Sequence, residues 1–162
     1  MRSGPRRPGR RRPPSTLAAA LARDWAWELR TAGLLQLTGR ELELLLRSQA
    51  DLVVRTLYAE PFVPDPARSV GAFLVGLEAT GPDALHRTFL LFAGRLLEDT
   101  SLPPQSGRHR LDQLLGEFIA GWAEAVHAHT LAAQEDLRRA LDIARRGPGH
   151  DPPGDPTNPW FS

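Results

Sequence analysis

Hydrophobic residues along this chain recur at steps of three and four, the period of helices with one buried face. Leu17, Leu21, Trp25, Leu29 and Ala32 form the first stripe, with Arg23 and Arg30 on its wet side. The stripe follows Pro13 and Pro14 and predicts a helix from Ser15 or Thr16 to about Leu35. Thr38 and Glu41 then stand as T-x-x-E, a capping box in which each side chain satisfies the other residue's free backbone N–H. The helix it opens carries Leu42, Leu45, Leu46, Leu52, Val53 and Leu57. It should stop near Glu60, because Pro61 disfavours the α conformation in the residue before it.

Pro61-Phe62-Val63-Pro64 reads as a stiff, extended link. Asp65 as N-cap and Pro66 in the first turn start a short third helix with Val70, Phe73, Leu74 and Leu77, ending before Gly81. Pro82 opens a fourth, to about Glu98, burying Leu85, Phe89, Phe92 and Leu96. Gly71, Gly76 and Gly94 fall inside these helices at about 1 kcal/mol each against Ala, a cost that close helix crossings would explain.

A loop over 100–107 leads to the last helix, about Arg108 to Arg146 and roughly 58 Å long. Its first half is bulky: Leu111, Leu114, Leu115, Phe118, Ile119, Trp122 and Val126. Its second half thins to Val126, Thr130, Ala133, Leu137, Ala140 and Ala144, at alternating steps of four and three. That is the 3.5-residue period of a coiled-coil seam. Ala133, Leu137, Ala140 and Ala144 are therefore the expected partner or dimer surface. A helix too long for its bundle exposes such a stripe, which a second copy or another domain would cover.

Composition agrees with helices. Leu occurs 26 times against eight Ile plus Val, and β-branched residues are the ones that favour sheets. The fold class expected is all-α, a bundle of four to five helices with a long C-terminal helix and disordered termini. Charge divides the chain further. Residues 1–15 carry six Arg and no acid, 16–146 carry 14 Arg and 17 acids, and 147–162 add two Asp. The near-neutral total of +1 thus hides a basic arm on a mildly acidic body. The arm over 1–15 and the Pro/Gly-rich tail over 147–162 bury too little to offset their ordering entropy, so both read as disordered around a helical domain over 16–146. Arg6, Arg7, Arg10, Arg11 and Arg12 would attract nucleic acid through phosphate contacts screened by salt, or simply keep the chain soluble. Trp160 and Phe161 form a short apolar pair near the end of the tail.

Candidate chemistry is sparse. With no Cys there is no disulfide framework, thiol nucleophile or Cys-based zinc site, and with no Lys no lysine catalysis. His127 and His129 stand two apart, on different faces of a helix, where a helical metal pair needs three or four. His127, one residue after Val126, is the histidine to name for a haem, and no haem motif accompanies it. Phosphate-loop, dinucleotide, zincin and nucleophile-elbow motifs are all missing. No catalytic, cofactor or metal residue is expected, and the chain does not read as an enzyme. Arg87 and Arg95 are the residues that would line a pocket, if one exists. The apolar run Leu17–Ala22 is too short for a leader or a membrane span, which places the chain in the cytoplasm.

Two stretches carry a resemblance. Residues 59–71, AEPFVPDPARSVG, look like A-E-P-F-x-P-x-P-A-R-x-V-G, and residues 80–88, TGPDALHRT, look like T-G-P-[ED]-A-L-x-R-T. With Trp25 upstream and Gln134–Ala140 downstream, they resemble the helical N-terminal region of signalling proteins of high-GC Gram-positive bacteria. In those proteins the region precedes PAS, GGDEF and EAL domains, which sense signals and make or degrade cyclic di-GMP. The likeness spans about 17–146, and no GGDEF or EAL sequence follows in this chain. It implies a non-catalytic sensory or regulatory input or dimerisation module, with a homodimer or an output protein in trans as partner. A more distant similarity, to globin-like but haem-free input domains of stress-signalling complexes, implies the same class of role. The alternative is a nucleic-acid-associated accessory protein using the Arg arm.

Overall fold

The computed structural model describes residues 13–34, 36–99 and 101–147. Among the described residues five helices follow one another: α1 (Pro14–Thr31), α2 (Gly39–Tyr58), α3 (Pro66–Gly76), α4 (Pro82–Asp99) and α5 (Pro104–Arg146). The molecule is an all-α bundle with a long C-terminal helix, as the periodicity predicts. It divides into two compact units at Val126/His127, so α5 belongs to the first unit through Val126 and to the second from His127.

Several helix ends differ from expectation, each for a local reason. α1 starts at Pro14, inside the stretch expected as arm, with Pro13 as N-cap. It ends at Thr31 rather than Leu35 because Gly33 turns left-handed (φ 103°). The Gly33 N–H donates to the Arg30 carbonyl and the Leu34 N–H to that of Leu29, a Schellman stop. α3 closes the same way, but with Glu78 in the left-handed position (φ 63°): its N–H donates to Val75 and that of Ala79 to Leu74. Asp65 lies before α3 in helical conformation and makes no side-chain cap, so Pro66 alone marks that start. α5 begins at Pro104, not Arg108, since a proline in the first turn is already set for the helix and needs no N–H there. The Thr38–Glu41 capping box forms as predicted: Glu41 N–H donates to Thr38 Oγ1 (3.2 Å) and Thr38 N–H to Glu41 Oε2 (2.9 Å).

The core of the first unit is built from Leu17, Leu21, Leu29, Leu42, Leu46, Val53, Leu57, Leu74 and Leu114, around three aromatics. Trp25 meets Phe92 edge-on at 4.8 Å between ring centres, and Phe92 meets Phe118 at 5.5 Å. One ring each from α1, α4 and α5 thus joins those helices, in the geometry that suits ring quadrupoles. The buried Trp25 indole N–H donates to Thr88 Oγ1 at 2.9 Å, so the one polar pair in that wall is satisfied. Trp27, two residues on, is 71% exposed, since a step of two on a helix turns it away from the buried face. Leu45, read as core from the sequence, is exposed.

Candidate functional site

The signature-bearing residues converge on the joints between helices. Arg110 on α5 reaches the end of α2, donating to the Leu57 (3.1 Å) and Ala59 (3.0 Å) carbonyls and pairing with Glu60, while its guanidinium lies 5.1 Å from the Phe62 ring centre. Those carbonyls are among the four a helix leaves unsatisfied at its C-terminus, so a cation is favoured there twice over. Arg68 on α3 donates from Nε to Glu117 (2.8 Å) and from Nη1 to Glu124, two carboxylates on α5. These bonds hold the Arg68 guanidinium above its usual pKa, hydrogen bonding to Glu117 contributing first. Between the ion pairs the two helices touch backbone to backbone. A Cβ on Gly71 would lie 2.0 Å from the Phe118 oxygen, and one on Gly121 1.9 Å from the Arg68 oxygen. Gly71 thus provides the expected close crossing, whereas Gly76 and Gly94 face open space; Gly121, its partner, was missed.

The second stretch plays a similar part on α4. Arg87 pairs with Asp83 one turn back (3.0 Å) and with Glu28 on α1 (3.2 Å), which raise its pKa, the Asp83 hydrogen bond most. Arg95 pairs with Asp24 on α1, and Thr88 holds Trp25. Arg87 does line a hollow, of about 440 Å³, with Glu28, Asp83, His86, Leu90 and Leu91. A second, apolar groove of about 560 Å³ runs beside the α3–α5 crossing, lined by Arg68, Ser69, Ala72, Gly121 and Ala125 among others. Phe73, Phe89 and Trp122 are half-buried against the core rather than within it. The Trp122 indole reaches the Ala79 carbonyl at 3.3 Å.

No group of three or more His, Asp or Glu side chains placed to hold a metal ion occurs among the described residues. His127 is exposed rather than set in an apolar pocket, and so is His129. Among the described residues no helix is long and apolar enough to cross a membrane.

In the second unit the α5 residues Ala133, Leu137, Ala140 and Ala144 are all exposed. Leu137 is 62% exposed, and the sequence reading missed Leu141 (51%) and Ile143 (73%), which border the same stripe. They could have been found by laying the heptad over the whole segment rather than over its two seam positions. Charges lie mostly elsewhere on the helix, with Arg139 bonded in cis to Glu135 (3.2 Å) and Asp136 (3.5 Å). The basic arm with Arg6, Arg7, Arg10, Arg11 and Arg12, and the tail with Trp160 and Phe161, lie outside the described residues.

Compared with family models, with curated proteins and with solved structures, the chain finds no match. What its residues establish is a small all-α domain without catalytic motifs, consistent with a non-catalytic regulatory or structural module.

Proposed function

We propose that this chain is an input or dimerisation module of a bacterial signalling pathway, which associates through the second unit of α5. The observation that carries the reading is the set of large apolar side chains exposed there: Leu131, Leu137, Leu141 and Ile143 are each more than half exposed. Fully burying a leucine gains about 1.5–3 kcal/mol, so a partner covering several of them gains enough to offset the cost of association. A change in packing around Trp25, Phe92 and Phe118 would reach that surface along α5, since Phe118 is on the same helix. Light scattering of the full chain over a concentration series tests the reading. A dimer that Leu137→Asp converts to a folded monomer is the expected result; a monomer at every concentration overturns self-association.

The link to cyclic di-GMP rests on the two signature stretches alone. Under it, a GGDEF or EAL protein is the output partner, and the added chain shifts that protein's turnover of cyclic di-GMP. Unaltered turnover removes the link and leaves the dimerisation module standing.

A further inference from the structure

The apolar face of α5 past Val126 carries more information than its exposure. On the heptad in which Thr130, Leu137 and Ala144 share one seam position, Val126, Ala133 and Ala140 take the other, and Leu141 and Ile143 flank them. We infer that this face pairs with the same face of a second copy in antiparallel orientation, Leu137 of one chain against Ala133 of the other. The inference rests on the dimerisation reading and adds its direction and register.

Size is the first ground. Val126, Thr130 and Leu137 are the larger seam residues, and Ala133, Ala140 and Ala144 the small ones. In a parallel pair each layer joins a residue to its own counterpart, so a leucine layer would sit between two alanine layers. No single distance between the helices fills both without voids or overlap. The antiparallel register instead gives Leu137 with Ala133, Thr130 with Ala140 and Val126 with Ala144. Every layer then holds one larger residue and one alanine, and the helices stay evenly and closely spaced.

Charge is the second ground. Residues 120–136 hold Glu124, Glu135 and Asp136 and no Arg; residues 137–146 hold Arg138, Arg139, Arg145 and Arg146 against Asp142 alone. A parallel pair stacks acid on acid and base on base. In the antiparallel register Glu124 of each helix comes level with Arg146 of the other, Glu135 and Asp136 lie near the two-fold level about one turn from Arg138 and Arg139 of the other copy, and the two macrodipoles are opposed. Most of these side chains lie off the seam, so they select direction more than they add affinity.

The chain has no cysteine, which lets single cysteines report direction. Full-length Thr130→Cys and Ala140→Cys chains, both altered at exposed positions, are oxidised mildly, alone and mixed, with helical circular dichroism confirming that each is folded. In a parallel pair residues 130 and 140 are about 15 Å apart along the axis, beyond the ~4.5 Å a disulfide spans between Cβ atoms. The expected result is a mixed disulfide between the two variants and no disulfide when either is oxidised alone, the dimer persisting by scattering. Disulfides in each variant alone mean a parallel pair, which overturns the inference and leaves dimerisation intact. A scattering dimer that forms no disulfide at all overturns it too, because the seam is then not the interface. A monomer by scattering overturns the dimerisation reading along with it.

Discussion

At Gly121 a single hydrogen in place of a methyl decides whether two helices can cross. The Arg68 carbonyl oxygen would lie 1.9 Å from a Cβ there and its carbonyl carbon 2.7 Å, both backbone atoms that no rotamer change moves aside. Gly121→Ala therefore forces α3 away from α5, and overpacking of this kind costs about 1–3 kcal/mol or more. Gly94 gives the opposite sign: it is inside α4 with nothing within 4 Å of its added Cβ. There Gly94→Ala recovers helix propensity of about 0.5–1 kcal/mol. Urea unfolding should show the midpoint falling for the first and rising for the second, at unchanged m-value. Equal midpoints for the two variants would mean that α3 and α5 do not approach so closely in solution.

At the scale of single elements, the entry to α2 should respond to acid. Glu41 accepts hydrogen bonds from the Thr38 backbone N–H, which lowers its pKa most, and from the Thr38 hydroxyl. A carboxylate whose pKa is lower folded than unfolded stabilises fully above the unfolded value, and that contribution is lost as pH falls through the folded one. Stability should thus decline on acidification through the carboxylate range, and less steeply in Glu41→Gln. Melting temperatures across about pH 3 to 6 give the comparison, and parallel curves would count against the box as an acid-sensitive element. This box was legible because both partners are three residues apart in one chain. So were the apolar stripes of Leu17–Leu29 and Leu42–Leu57, whose partners need only be apolar. The α3–α5 crossing was half legible. Gly71 stood out inside a helix, but nothing local says that it meets the backbone of Phe118 and Trp122, some fifty residues on. The same holds for Arg110, whose partners Leu57, Ala59 and Glu60 are backbone and side-chain oxygens that only the fold brings near. The helix stop at Gly33 was legible and overlooked, since glycine after a basic last turn is a common end signal.

Across the whole molecule, stability should be uneven and should depend on concentration. Among the described residues the buried apolar core lies within 17–118, whereas 127–147 are exposed throughout. α5 has no nucleation cost to meet in its second unit, because the helix is already formed before Val126. Its extension past that point is held by backbone bonds and by cis ion pairs such as Arg139–Glu135, which add only about 0.2–0.5 kcal/mol each. Segments with few buried contacts open locally at little cost, so in a monomer the amides of 127–146 should exchange fast while those around Trp25 and Val53 stay protected. Pairing through Leu137 would change that, since burying leucines adds free energy only to the paired state. Hydrogen exchange read by mass spectrometry should therefore find 127–146 slowed as protein concentration rises and fast again in Leu137→Asp. The core should be indifferent to both. If exchange over 127–146 is the same at every concentration and in the variant, the exposed leucines of α5 do not mediate self-association. A partner other than a second copy would then have to cover them.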